Sequence, residues 1–208
     1  MNKETVMMRG CRTAVIAVAL GSLFPAAQAA DSMERDGDRM MRLRASATID
    51  GCTDPGIVGA ARFVERPSPE GVKLVDVQIS VKGLPDGLHA VHIHQTGACA
   101  PTCAAAGGHF DPGPYGHVSP DGNHPFHAGD LINLDVKNGR GMLRTTTSRV
   151  TLSPGPLGVF DSDGSALIVH VDPDTYCPDG AVPGCAGGGR AACGIIEPVG
   201  GDEDEWFD

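Results

Sequence analysis

The eight histidines of this 208-residue chain all fall between His89 and His170, well under half of its length. His92 and His94, in HAVHIH, are two residues apart, and strand geometry sends such a pair to one face, where two imidazoles can aim at one point. In HFDPGPYGHVSPDGNHPFHAGD, His109, His117 and His127 are spaced by eight and ten residues, and Asp130 follows His127 by three. Three imidazoles and one carboxylate make a complete tetrahedral zinc shell, and such an ion would order a loop too long to be fixed by apolar burial. His170 sits in ALIVHV, where an imidazole without a partner would be costly. Each feature has a plain structural alternative: a polar pair on a wet strand face, a solvated loop, a satisfied core histidine. Their clustering favours metal. Imidazole ligation suits copper or zinc, and copper adds redox chemistry that zinc lacks.

The elements that must position these side chains read as strands. Aromatic residues make up only 4% of the chain, and 29 Gly and 16 Pro punctuate short β-branched runs. The clearest strand is 75–82, where Val75, Val77, Ile79 and Val81 alternate with Asp76, Gln78, Ser80 and Lys82. Further strands are expected near 43–50, 57–65, 88–94, 131–136, 140–147, 166–171 and 193–197, a set of about eight that suits an all-β sandwich or barrel. Two long connections, 95–130 and 172–192, are rich in Gly, Pro, Cys and charge and are expected to carry function.

Residues 1–29 read as a secretory signal: Lys3, Arg9 and Arg12 precede the apolar run AVIAVALGSLF and the small-residue stretch AAQAA. Its removal also takes Glu4 and leaves 13 basic against 25 acidic side chains, a net charge of −12. That balance argues against nucleic acid as a partner, and no membrane span is expected after cleavage. The exported chain is expected to be periplasmic or secreted. It keeps six cysteines (Cys52, Cys99, Cys103, Cys177, Cys185, Cys193), an even number that suggests disulfides in an oxidising compartment; spacing alone does not choose among about 15 pairings. Residues 30–42 form a charged segment expected to be flexible, 43–198 one domain, and 199–208 an acidic tail.

The segments GLHAVHIH, CAAAGGHFDP, HAGDL, ALIVH and GGRAACGII, in this order, resemble the signature segments of the copper/zinc superoxide dismutases, over about residues 43–197. The resemblance implies an eight-stranded Greek-key β-barrel or immunoglobulin-like sandwich with two long functional loops. It implies copper on His92, His94, His109 and His170, and zinc on His109, His117, His127 and Asp130. His109 would then bridge the two metals through both ring nitrogens, with copper alternating between oxidation states as superoxide is converted to dioxygen and hydrogen peroxide. Asp174 matches an aspartate that hydrogen-bonds ligands of both metals, with His89 a further supporting candidate; Arg190 matches an arginine that attracts superoxide. Cys103 and Cys193 match the family disulfide, which leaves Cys177 with Cys185 and Cys52 with Cys99 as the simplest remaining pairs. His124 has no counterpart in the family pattern and reads as a solvated loop residue.

The chain departs from many relatives in YCPDGAVPGCAGGG, which has no lysine, so steering of the anionic substrate rests more heavily on Arg190. A non-catalytic copper carrier or metal buffer of the same fold is the alternative function, and a third reading makes the acidic tail an interaction surface with structural metals only. A monomer and a homodimer are equally compatible with the sequence.

Overall fold

The computed structural model describes residues 42–113, 124–180 and 182–200. The expected signal, the charged segment up to residue 41, the tail beyond residue 200 and His117 lie outside these residues.

The described residues form ten strands: β1 (Arg44–Gly51), β2 (Val58–Pro67), β3 (Lys73–Lys82), β4 (Gly87–His89), β5 (Val91–His94), β6 (Leu134–Lys137), β7 (Arg140–Thr147), β8 (Ala166–His170), β9 (Arg190–Ile195) and β10 (Glu197–Pro198). Alternation explains β3 directly: Val75, Val77, Ile79 and Val81 are at most 2% exposed, whereas Gln78, Ser80 and Lys82 face solvent. Each buried aliphatic contributes roughly 1.5–3 kcal/mol. The count exceeds the expected eight because the strand at 88–94 breaks at Ala90 and a two-residue strand follows β9. Ala90 N–H donates to the Asp172 carbonyl, and Ala90 O accepts from His170 N–H, both at 2.9 Å, so this residue binds the loop after β8 instead of continuing one strand.

All strand pairs are antiparallel, in the order β4-β6-β7-β3-β2-β1-β9-β8-β5. The two ends of this path, β4 and β5, are joined by the single residue Ala90, so the sheet curls into a nearly closed barrel. β3 beside β7 and β1 beside β9 are neighbours distant in sequence, as crossing connections of the Greek-key kind produce.

The outer edge of β5 is covered by the long loop. Phe110 N–H donates to Ile93 O (2.9 Å), Ile93 N–H to Gly129 O (2.8 Å) and Leu131 N–H to Val91 O (3.3 Å). These bonds set His109 opposite His94 and Asp130 opposite His92. The approach requires glycine at 129, since a Cβ there would lie 2.2 Å from the Ile93 carbonyl oxygen. The HAGD motif is therefore a backbone clamp as well as a ligand source.

A third long connection, 148–165, is ordered by a buried carboxylate. Glu65 in β2 accepts from the N–H groups of Leu152 (2.6 Å) and Ser153 (2.9 Å) and from the Ser153 hydroxyl (3.1 Å). Burial pushes its pKa up, but these donors outweigh it and hold it below the ordinary carboxylate value.

The disulfides correct two expected pairs. Cys103 bonds Cys52 and Cys193 bonds Cys99, with Cα separations of 5.7 and 5.8 Å, instead of Cys103 with Cys193 and Cys52 with Cys99. All four cysteines pack in one small cluster. The β1–β9 register brings Asp50 opposite Cys193, Cys52 N–H donates to Ala191 O, and the loop folds Cys99 and Cys103 over them. Several partners are thus in reach, and local direction decides. Either pattern ties the metal loop to the β1–β9 pair, and cross-linking residues 51 and 94 apart removes about 4 and about 5 kcal/mol of unfolded-chain entropy, respectively. The third bridge joins Cys177 to Cys185. Among the described residues no helix is long and apolar enough to cross a membrane.

Candidate metal centre

Four imidazoles from two strands and the loop converge at one end of the barrel seam. One ring nitrogen from each of His92, His94, His109 and His170 lies within 4.8 Å of the others, and all four residues are at most 3% exposed. Their partners fix the tautomers. His94 Nδ1 lies 2.9 Å from Gly107 O and His170 Nδ1 3.2 Å from Gly188 O; a carbonyl accepts only, so Nδ1–H donates and each Nε2 keeps its lone pair. His92 Nε2 donates to Asp174 Oδ2 at 2.9 Å, which leaves its Nδ1 as the acceptor. That Nδ1 faces His170 Nε2 at 3.1 Å. Two lone pairs so placed repel unless a cation stands between them. Nε2 of His94 and Nε2 of His109 are buried without any hydrogen-bond partner, as an unmet ligand would be. The donor set fits copper, which accepts an all-imidazole shell.

The other ring nitrogen of His109 points the opposite way. His109 Nδ1 is 2.7 Å from Asp130 Oδ1, while Asp130 Oδ2 lies 3.2 Å from His127 Nδ1 and 3.1 Å from His124 Nδ1. A second group of candidate ligand atoms within 4.8 Å of one another comprises His92, His109, His124 and Asp130. His127 is 1% exposed, and neither of its ring nitrogens has a hydrogen-bond partner. Imidazoles around one carboxylate suit zinc. His109 belongs to both sets.

Residues 57–196 match the family model described as copper/zinc superoxide dismutase (SODC). The chain belongs to that family. It is 36% identical over 155 residues to the Cu-Zn superoxide dismutase of Deinococcus radiodurans, covering 69% of this chain and 79% of that protein. It is 35% identical over 150 residues to Cu-Zn superoxide dismutase 2 of Aquifex aeolicus, covering 69% and 81%. A crystal structure of a double mutant of a superoxide-dismutase-like protein from Bacillus subtilis superimposes with a TM-score of 0.55 at 27% identity, covering 72% of this chain and 95% of that one.

The remaining residues of this dismutase-family site are held as follows. Arg190 opens β9 as the register partner of His170. Its guanidinium donates to the carbonyls of Cys103 and Gly107, and Gly107 O also accepts from His94, so one carbonyl separates Arg190 from a copper-side ring. Asp174 is 4% exposed; it holds His92 through Oδ2 and accepts from Tyr176 N–H at 2.6 Å. Both ring nitrogens of buried His89 face carbonyls, those of His170 and Pro85 at 2.9 Å, so this residue braces the backbone of a copper-side strand.

Three supporting residues were not apparent in the sequence. Asn133 exchanges two hydrogen bonds with the Asp174 backbone, at 2.9 and 2.8 Å. Arg149 reaches the carbonyls of Pro125 and Asp130 and anchors the end of the loop. The third corrects an expectation: His124 is not solvated but 5% exposed, and its Nε2 lies 2.8 and 2.7 Å from the two Asp174 oxygens. The only sequence signal was its place three residues before His127.

Burial, with repulsion from neighbouring rings, lowers His170 to about 3 and His109 to about 4, and lowers His92 and His94 as well, so the copper-side imidazoles are neutral and ready to coordinate. Burial pushes His124 down too, but Asp130 and Asp174 outweigh it and raise it to about 9. Those two carboxylates, pushed up by burial, are held well below the ordinary range by their histidine partners.

These shifts set the pH dependence of the metal-free protein. Below the ordinary histidine value of 6.5 the unfolded chain binds protons that folded His109 and His170 refuse, so stability falls as pH drops towards 4 and 3. Asp130 and Asp174 lose their contribution on the same acid side. The contribution of His124 is complete below 6.5 and disappears as pH rises through 9. Thermal melts in chelator should therefore peak near pH 6.5 and decline on both sides; a melting temperature that climbs steadily from pH 6.5 to 10 would contradict the assignment.

Proposed function

We propose that this protein disproportionates superoxide: two superoxide anions and two protons become dioxygen and hydrogen peroxide at a copper held by His92, His94, His109 and His170. Zinc would be held by His109, His127, Asp130 and a third imidazole, for which the family pattern nominates His117. The observation that carries this reading is the convergence of four buried imidazoles, with Nε2 of His94 and of His109 left without partners and the other nitrogen of His109 turned to Asp130. Copper, when bound, supplies a one-electron couple that can oxidise one superoxide and reduce the next.

The chain's own residues do the rest. The guanidinium of Arg190 attracts and orients a small anion beside His94 and His170. Whenever its bond to copper is released, His109 Nε2, buried and without a protein partner, would be the atom able to hold a proton bound for peroxide. Asp174 fixes the tautomer of His92 and so keeps its Nδ1 lone pair directed inward. The signal-like composition of residues 1–29, together with three disulfides among the described residues, supports export to the periplasm or beyond.

The test is metal analysis of the exported protein alongside superoxide decay followed by stopped flow. One copper and one zinc per chain with rapid decay is the expected result. Copper bound without dismutation would favour a carrier, and zinc alone a structural site.

A further inference from the structure

We propose that His124 supplies the third imidazole of the zinc-side set, so that His109, His124, His127 and Asp130 complete it without His117. The inference rests on the zinc reading above and deepens it.

His124 is tied down from both sides. Its Nε2 hydrogen-bonds Asp174, whose oxygens accept only, so Nε2–H donates and Nδ1 is the atom left to take either a proton or a metal ion. That Nδ1 is buried, has no hydrogen-bond partner, and points at Asp130 Oδ2 from 3.1 Å. A ring nitrogen and a carboxylate so placed share either a proton or a metal ion, and the nitrogens of His109 and His127 gathered on the same carboxylate favour the metal. A tetrahedral ion with bonds of about 2.0 Å holds its donors about 3.3 Å apart, which the His124 and His127 distances to Asp130 Oδ2 approach. The Asp130 oxygens lie 2.7 Å from His109 Nδ1, 3.1 Å from His124 Nδ1 and 3.2 Å from His127 Nδ1. The His124 ring stands 5.6 Å from that of His109 and 6.1 Å from that of His127, near-neighbour spacing on one centre. Arg149, by donating to Pro125 O at 3.1 Å, fixes the backbone next to His124. Three imidazoles and one carboxylate already fill a zinc shell. Asp174 then joins the two metal positions through one side chain, holding His92 on one and His124 on the other.

The test compares full-length wild type with His117→Ala and His124→Ala, using zinc retained per chain after dialysis and the visible d–d bands of Co(II) placed in the zinc position. His117→Ala should keep the tetrahedral Co(II) spectrum and zinc affinity within about threefold, whereas His124→Ala should lose the spectrum and bind zinc about 10–100-fold more weakly or worse. Loss of zinc by His117→Ala, or its retention by His124→Ala, overturns the assignment. Should His124→Ala fail to fold, ¹⁵N spectra of wild type decide: the Nδ1 resonance of His124 moves on zinc addition if it is a ligand, and an unmoved resonance in zinc-loaded protein overturns it. A wild type that takes up copper and dismutates superoxide but never binds zinc would overturn this assignment while leaving the catalytic reading intact.

Discussion

His109→Ala should reduce dismutation by more than about 100-fold, beyond the 10–100-fold typical when only a partner of a metal ligand is removed. The expectation follows from geometry: the two nitrogens of this ring face different donor sets, Nε2 towards His92, His94 and His170, and Nδ1 towards Asp130. Its loss deletes one donor from each set and also the proton-holding atom between them. Superoxide decay and the copper and zinc retained after dialysis should fall together. Unchanged turnover with both metals at full occupancy would rule out the shared-ligand arrangement.

Arg190→Ala should lower kcat/KM about 10–100-fold with copper still bound, and should reverse the effect of salt. With 13 basic against 25 acidic side chains in the expected mature chain, a superoxide anion meets repulsion at long range, so capture depends on local positive charge. In wild type that local field should dominate, and added salt should slow capture; in Arg190→Ala the residual repulsion dominates, and salt should accelerate it. Because the guanidinium also ties down the Cys103 and Gly107 carbonyls, Arg190→Lys separates charge from bracing: it should recover part of the rate and the normal salt response. Equal rates for wild type and Arg190→Ala at low ionic strength would remove Arg190 from substrate capture.

What could be read from sequence follows from how far its physical causes reach. The β3 strand was legible because Val75, Val77, Ile79 and Val81 repeat at the period of a pleat, and the His92–His94 pair because the same period puts both on one face. The break at Ala90 was not, since it depends on a carbonyl at Asp172, 82 positions away. The ordering of 148–165 by Glu65 escaped notice for the same reason: a lone carboxylate in a strand gives no hint of donors at Leu152 and Ser153. Cysteine pairing failed because four thiols share one cluster, where proximity in the fold does not single out partners. His124, set among turn-forming residues in DGNHP, carries no local sign of its buried partner Asp174, 50 positions away.

The covering of β5 by the 95–130 loop bears on how the protein behaves before it acquires metal. Its outer backbone groups are occupied by residues 110, 129 and 131 of the stretch that also supplies His109 and Asp130. A bare strand edge is a template on which another chain can grow, and a cation shared by His109 of the cover with His92 and His94 of β5 would fasten the cover to that edge. The chain without metal is thus the form most exposed to self-association, and metal binding should reduce that exposure.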